Sequence, residues 1–188
     1  MCAATTGNIV YLNKMNIILL THTLELNKTT NTGSIAVKHA SHIVDRIVWQ
    51  RTNPNSKLVK LIEDKKALLL YPAKGTTDPL TENFEIDERE IEERETENHK
   101  IEDFEHVVII DGTWQQSRKI FNKSPYLKKM PTATLNAPQP SKYKLRRNQT
   151  QGGLCTIECV IEVLKLSGEI TLASNLDFEF AKFNNANY

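Results

Sequence analysis

The chain has 188 residues, 39% hydrophobic and 25% charged, with a net charge of +1 at neutral pH. That suffices for one sizeable core and is ordinary for a soluble globular protein. The apolar run at 15–20 is too short to span a bilayer, and no small-residue cleavage site follows it, so neither a membrane anchor nor a signal peptide is expected.

Residues 1–14 are polar and weakly patterned and read as a lead-in to a single domain over 15–188. KMNIILL (14–20) predicts a first buried strand, followed by a polar loop. Ile35, Ala36, Val37 and Ala40 fall near helical spacing over 31–41, with Thr30 or Asn31 as the N-cap. RIVWQ (46–50) predicts a second strand. A helix is expected over 53–64, with Pro54 in its first turn and Leu58, Leu61 and Ile62 on one face. ALLLY (67–71) predicts a third strand, stopped by Pro72.

From 73 to 105 the chain is acid-rich and poorly periodic, which reads as a surface insertion with one polar helix near 86–95. A fourth strand at 107–110 and a helix at 113–122 follow. A short β-prone piece spans 132–135, and a basic loop at 141–153 ends in Gly-Gly. Helices are expected at 156–166 and 172–183, the latter with Leu172, Leu176, Phe180 and Phe183 on one stripe. Strands and helices alternate, and the strands are continuous aliphatic runs. This predicts an α/β domain with a mainly parallel sheet and helices on both faces.

The small net charge conceals an asymmetry. Residues 82–106 hold twelve of the 23 acids and three of the 24 bases, leaving 21 bases against 11 acids elsewhere. Residues 112–157 contain nine Lys or Arg and no acid at all. A surface normally mixes both signs, so this stretch points to a polyanionic partner; a chance run of charge is the plainer alternative. The acidic insertion reads as a solvated loop, or alternatively as an internal mimic of RNA lying over the basic groove. The three cysteines, Cys2, Cys155 and Cys159, form neither a disulfide framework nor a CxxC zinc pair. No metal is expected, and a reducing, cytoplasmic setting is.

In VVIIDGTWQQ (107–116) a β-branched run ends in Asp111, Gly112, Thr113 and Trp114. Parallel sheets bind ligands beyond the carboxyl ends of their strands, so Asp111 is a candidate site residue. Alternatively Asp111 caps the next helix and Trp114 is core.

DGTW (111–114) is followed by SPYLKKMP (124–131), SKYKLR (141–146) and GGLCTIE (152–158), with weaker echoes at His22 and Glu25, at Asn31-Thr32 and at LLLYP (68–72). This series resembles the DTW-domain family of tRNA-uridine aminocarboxypropyltransferases, relatives of the knotted (SPOUT-type) RNA methyltransferases. The resemblance covers roughly residues 15–166. It implies a SPOUT-like knotted fold and transfer of the 3-amino-3-carboxypropyl group of S-adenosylmethionine to N3 of a tRNA uridine, releasing methylthioadenosine. It places Asp111 as base or orienter, Trp114 at the uracil, and Thr113, Ser141 and Arg146 beside them. It implies donor contacts at Leu70, Tyr71, Pro72, Leu135, Tyr143, Leu145, Leu154 and Thr156. His22, Arg118, Lys119, Lys142, Lys144 and Arg147 are then positions for RNA.

Two departures stand out. The cysteine cluster that many members carry before the first strand is reduced here to Cys2, and the usual serine before Thr156 is Cys155, which raises a cysteine nucleophile as a minor alternative. The rival functions are a knotted-class RNA methyltransferase using the same donor and an RNA-binding protein without catalysis.

Overall fold

The aliphatic runs pair side by side as parallel strands. The computed structural model describes residues 15–71, 99–135, 140–144 and 153–186. The strands are β1 (Asn16–Thr21), β2 (Val44–Val48), β3 (Ala67–Leu70), β4 (His106–Asp111) and the two-residue β5 (Thr132–Ala133). The helices are α1 (Gly33–His39), α2 (Ser56–Glu63), α3 (Trp114–Asn122), α4 (Thr156–Leu166) and α5 (Ile170–Ala186). The sheet order is β2-β1-β4-β3-β5, and every pairing is parallel.

Side chains alternate between the faces of a strand, so an unbroken aliphatic run needs cover on both. Ile17, Leu19, Leu68, Val107 and Ile109 meet α1, α4 and α5 through Ile35, Ala36, Ile157, Val160, Leu164, Leu176 and Phe180. Ile18, Leu20, Leu69, Val108 and Ile110 meet α2 and α3 through Leu58 and Ile120. The sheet is therefore the mainly parallel, doubly covered one that the aliphatic runs predict.

Several boundaries differ from expectation for local reasons. β2 begins at Val44, two residues early, because its register with β1 starts at Ile17↔Val44. Asn55, whose side chain accepts from Leu58 N, caps α2, so Pro54 lies before the helix. α1 is capped by Thr32 in sequence, but the side chain that accepts from Ser34 N at 2.9 Å is that of Asn31. The acid-rich segment at 72–98, with its expected helix at 86–95, and the lead-in at 1–14 lie outside the described residues. Beyond the acid-rich segment, Ile101 is buried and Phe104 packs on the α1–α4–α5 side. Among the described residues no helix is long and apolar enough to cross a membrane.

The order of the strands fixes where a ligand crevice can form. β1 and β4 are neighbours, yet their chains leave in opposite directions. β1 continues through α1 to β2, and β4 through α3 to β5, with α1 and α3 on opposite faces. The carboxyl ends of β1 and β4 thus make a topological switch point, where Thr21 pairs with Asp111.

Candidate active site

Asp111 sits at that point, 1% exposed. Burying a carboxylate is costly unless its oxygens are hydrogen-bonded, and here they are. Oδ2 accepts from Thr21 Oγ1 at 3.0 Å, and Oδ1 from Thr156 Oγ1 at 2.8 Å. Asn31 Nδ2 lies 3.1 Å from both oxygens. Arg46 Nη2 stands 3.7 Å from Oδ2 and supplies the opposing charge. One side chain thereby joins the end of β1, the approach to α1, β2 and the first turn of α4.

The donors around it are themselves held. Asn31 Oδ1 accepts from Ser34 N, Ser34 Oγ and Arg46 Nη2, which fixes the direction of its amide. The backbone of α1 comes close enough that a Cβ on Gly33 would lie 2.8 Å from both Asp111 oxygens. Glycine is required there by close approach, not by backbone angle.

Asp111 does not cap α3. Thr113 Oγ1 accepts from Gln116 N at 3.3 Å, while Gln116 Oε1 accepts from Thr113 N at 2.7 Å, a reciprocal capping box. Trp114 is half-buried and belongs to neither core side. Its Nε1–H is buried and has no hydrogen-bond partner among the described residues.

The residues expected at the donor are divided between the two faces. Leu70, Leu135 and Tyr143 lie on the α1–α4–α5 side. Tyr71 lies on the other and stacks on Phe121 at 4.2 Å. The carboxyl ends of β3 and β5 are tied together by Tyr71 N donating to Ala133 O and Thr134 Oγ1 donating to Tyr71 O, both at 3.1 Å. Leu154 is half-buried just before α4. Thr156 has its hydroxyl turned onto Asp111.

A second buried carboxylate organises the basic loop. Glu158 Oε2 accepts from Ser141 Oγ at 2.5 Å and from Cys155 N at 2.8 Å, and Oε1 accepts from Lys142 N at 2.6 Å. The Ser141 hydroxyl is thus engaged within the protein. Tyr143 OH donates to Thr30 O at 2.7 Å, and Lys142 Nζ meets Asp177 on α5 at 3.3 Å.

His22 follows β1 and is buried. Its Nδ1 accepts from Leu24 N at 3.2 Å, and its ring stacks on Trp49 at 5.8 Å. Burial, then the nearby Lys119 ammonium, lowers its pKa below the ordinary histidine value. On α3, Lys119 is exposed and Arg118 half-buried. Trp49 Nε1 donates to the fully buried Ser124 Oγ at 2.8 Å, which gives the SPYLKKMP motif a structural anchor.

Cys155 is buried. Desolvation foremost, and then the Glu158 charge, raises its thiol well above the usual range, the opposite of what a nucleophile needs. Pro72, Leu145, Arg146 and Arg147 lie outside the described residues. No group of three or more metal-ligating side chains occurs among the described residues. Sequence reasoning missed Thr21, Arg46 and the hub role of Glu158. The S/T-x-x-E-like register of Cys155 and Glu158 was the one available signal.

The DTW-domain model matches residues 1–187. The tRNA-uridine aminocarboxypropyltransferase 2 of Drosophila melanogaster is 29% identical over 110 residues, covering 58% of this chain and 38% of that protein. The chain therefore spans well under half the length of that relative. No solved structure gives a significant match. With a family match over nearly its whole length, and with the motif's aspartate at the switch point of a parallel sheet, the chain belongs to the DTW-domain family.

Proposed function

We propose that the protein transfers the 3-amino-3-carboxypropyl group of S-adenosylmethionine to N3 of a uridine in tRNA. The observation that carries this reading is the Asp111 hub: a buried, hydrogen-bonded carboxylate holds four segments at the crevice of a DTW-family sheet. The name of the relative, a tRNA-uridine aminocarboxypropyltransferase, supports a tRNA uridine as acceptor and aminocarboxypropyl as the group transferred.

In this reaction a bond forms from N3 to the γ-carbon of the donor's methionine part. The C–S bond breaks with its electron pair going to sulfur, methylthioadenosine leaves, and the N3 proton passes to solvent. A sulfonium donor supplies an electrophilic carbon and a neutral leaving group. The protein must position the uracil, exclude water and favour loss of the N3 proton.

Asp111 acts in this scheme as a positioning residue. Its oxygens already receive hydrogen bonds from three neighbouring side chains, and it is too enclosed to meet a base directly. What it positions is the chain after β4, which presents Thr113 at the mouth and the half-buried Trp114 beside it. The indole face offers a stacking surface worth about 1–3 kcal/mol per base. Leu70, Leu135 and Tyr143, gathered on one side of the sheet's carboxyl edge, fit the apolar wall that an adenosine needs. Arg118, Lys119, Lys142 and Lys144 form the basic surroundings for tRNA phosphates, with Arg146 and Arg147 continuing the same segment, whereas His22 is buried and neutral and lines the loop after β1 without adding charge.

The reading is tested by incubating purified protein with S-adenosylmethionine and bulk tRNA and following adenosine products by chromatography. Methylthioadenosine that requires both tRNA and protein is the expected result. S-Adenosylhomocysteine in its place would assign a methyltransferase, and no turnover beside salt-sensitive tRNA binding would assign a binding protein.

A further inference from the structure

The short basic segment at 141–144 is tied to three other parts of the fold, α4, α5 and the loop before α1. Glu158 takes hydrogen bonds from Ser141 Oγ and Lys142 N, Asn184 Nδ2 donates to Lys142 O at 3.3 Å, and Tyr143 OH is fixed on Thr30 O. Lys142 and Lys144, two residues apart and both exposed, border a shallow groove against α5 whose other walls include Asp177, Phe180 and Asn184. Phe180 is buried and forms part of its apolar base.

Asp177 is the carboxylate of this groove. Lys142 Nζ lies 3.3 and 3.4 Å from its two oxygens. The two side chains are 62% and 48% exposed, so the pair contributes at most about 1 kcal/mol and is readily exchanged. A phosphodiester presents the same feature to an ammonium: one negative charge shared by two oxygens. Because the backbone carrying the lysines is already fixed, binding such a group orders side chains alone.

We propose that this α5 groove carries a stretch of the tRNA backbone, and that Asp177 is a built-in competitor which a phosphate displaces from Lys142. The proposal rests on the tRNA reading above and adds a location and a competing anion that the reading does not contain. The expected effect of mutation has an unusual sign. Removing an acid from an RNA-binding groove releases Lys142 and removes repulsion, so affinity rises; an ion pair that served structure alone would give no gain.

The test is fluorescence anisotropy of labelled bulk tRNA across a salt series, with wild type, Asp177→Asn and the double variant Lys142→Gln/Lys144→Gln, each first checked for an unchanged melting temperature. Asp177→Asn is expected to tighten binding roughly two- to fivefold at low salt, the exchange value of an exposed pair. The double variant should weaken binding and flatten the log–log salt slope by close to 1 for each phosphate it no longer neutralises. Salt-sensitive binding by wild type with no gain in Asp177→Asn and an unchanged slope in the lysine variant would overturn the groove and leave the tRNA reading standing. Absence of tRNA binding by wild type would remove both.

Discussion

Replacing Asp111 by Asn separates the two roles the residue can have. The substitution keeps the shape, removes the charge and turns one acceptor oxygen into an NH2 donor. Asn31 Nδ2 lies 3.1 Å from both Asp111 oxygens, so either orientation of the new amide faces its NH2 with another donor. Asn31 cannot turn away, because its own oxygen is held by Ser34 and Arg46. Arg46, 17% exposed, would lose its charged partner. Breaking a buried pair by removing one member costs about 3–5 kcal/mol. For a domain of this size each kcal/mol corresponds to roughly 2–4 °C, so the melting temperature should fall by about 6–20 °C. Thermal unfolding followed by circular dichroism measures this, and turnover is measured on the same sample well below the transition. Both should fall. A variant that keeps its melting temperature within about 2 °C and loses turnover would make Asp111 the base and refute the positioning role.

Three further outcomes follow from the same geometry. Gly33→Ala places a methyl against the Asp111 carboxylate and should cost about 1–3 kcal/mol, seen in urea unfolding, with turnover reduced alongside. His22 is held neutral by burial and by Lys119, so its folded pKa is depressed and its contribution is present above the unfolded value near 6.5. That contribution is lost as pH falls from there through the folded pKa. His22→Asn keeps an acceptor for Leu24 N, and stability measured against pH should show a shallower acid slope than wild type; an identical slope would disprove the assignment. Cys155 should resist iodoacetamide in the native protein and react on unfolding, with the site read by peptide mass spectrometry, and Cys155→Ser should retain turnover.

Much of the architecture was legible because both-sided burial leaves an unmistakable mark. A strand such as VVII has no polar face to offer, and a doubly covered parallel sheet accommodates the three such runs of β1, β3 and β4. Asp111 was legible for the same reason, as a charge at the end of such a run. Its partners were not: Thr21, Asn31 and Thr156 lie 90, 80 and 45 residues away in sequence and meet it only through strand register and helix placement. Which residue capped α3 was also undecided in sequence, since Asp111 and Thr113 are both good caps. The choice fell to Thr113 because β4 runs on through Asp111 to pair with Thr21. Glu158 was visible as half of a capping box, but its hold on Ser141 and Lys142 needed the loop to fold back over α4. Likewise Lys142 looked like an open cation within an acid-free stretch, and the acid that meets it comes from α5, 35 residues on.

Aminocarboxypropyl transfer is tested most directly by the mass of the nucleosides in bulk tRNA after incubation with the protein and S-adenosylmethionine. The expected product is a uridine heavier by one 3-amino-3-carboxypropyl group, with the Watson–Crick edge blocked at N3. A methylated nucleoside, or tRNA of unchanged mass from protein that binds it, would contradict that assignment.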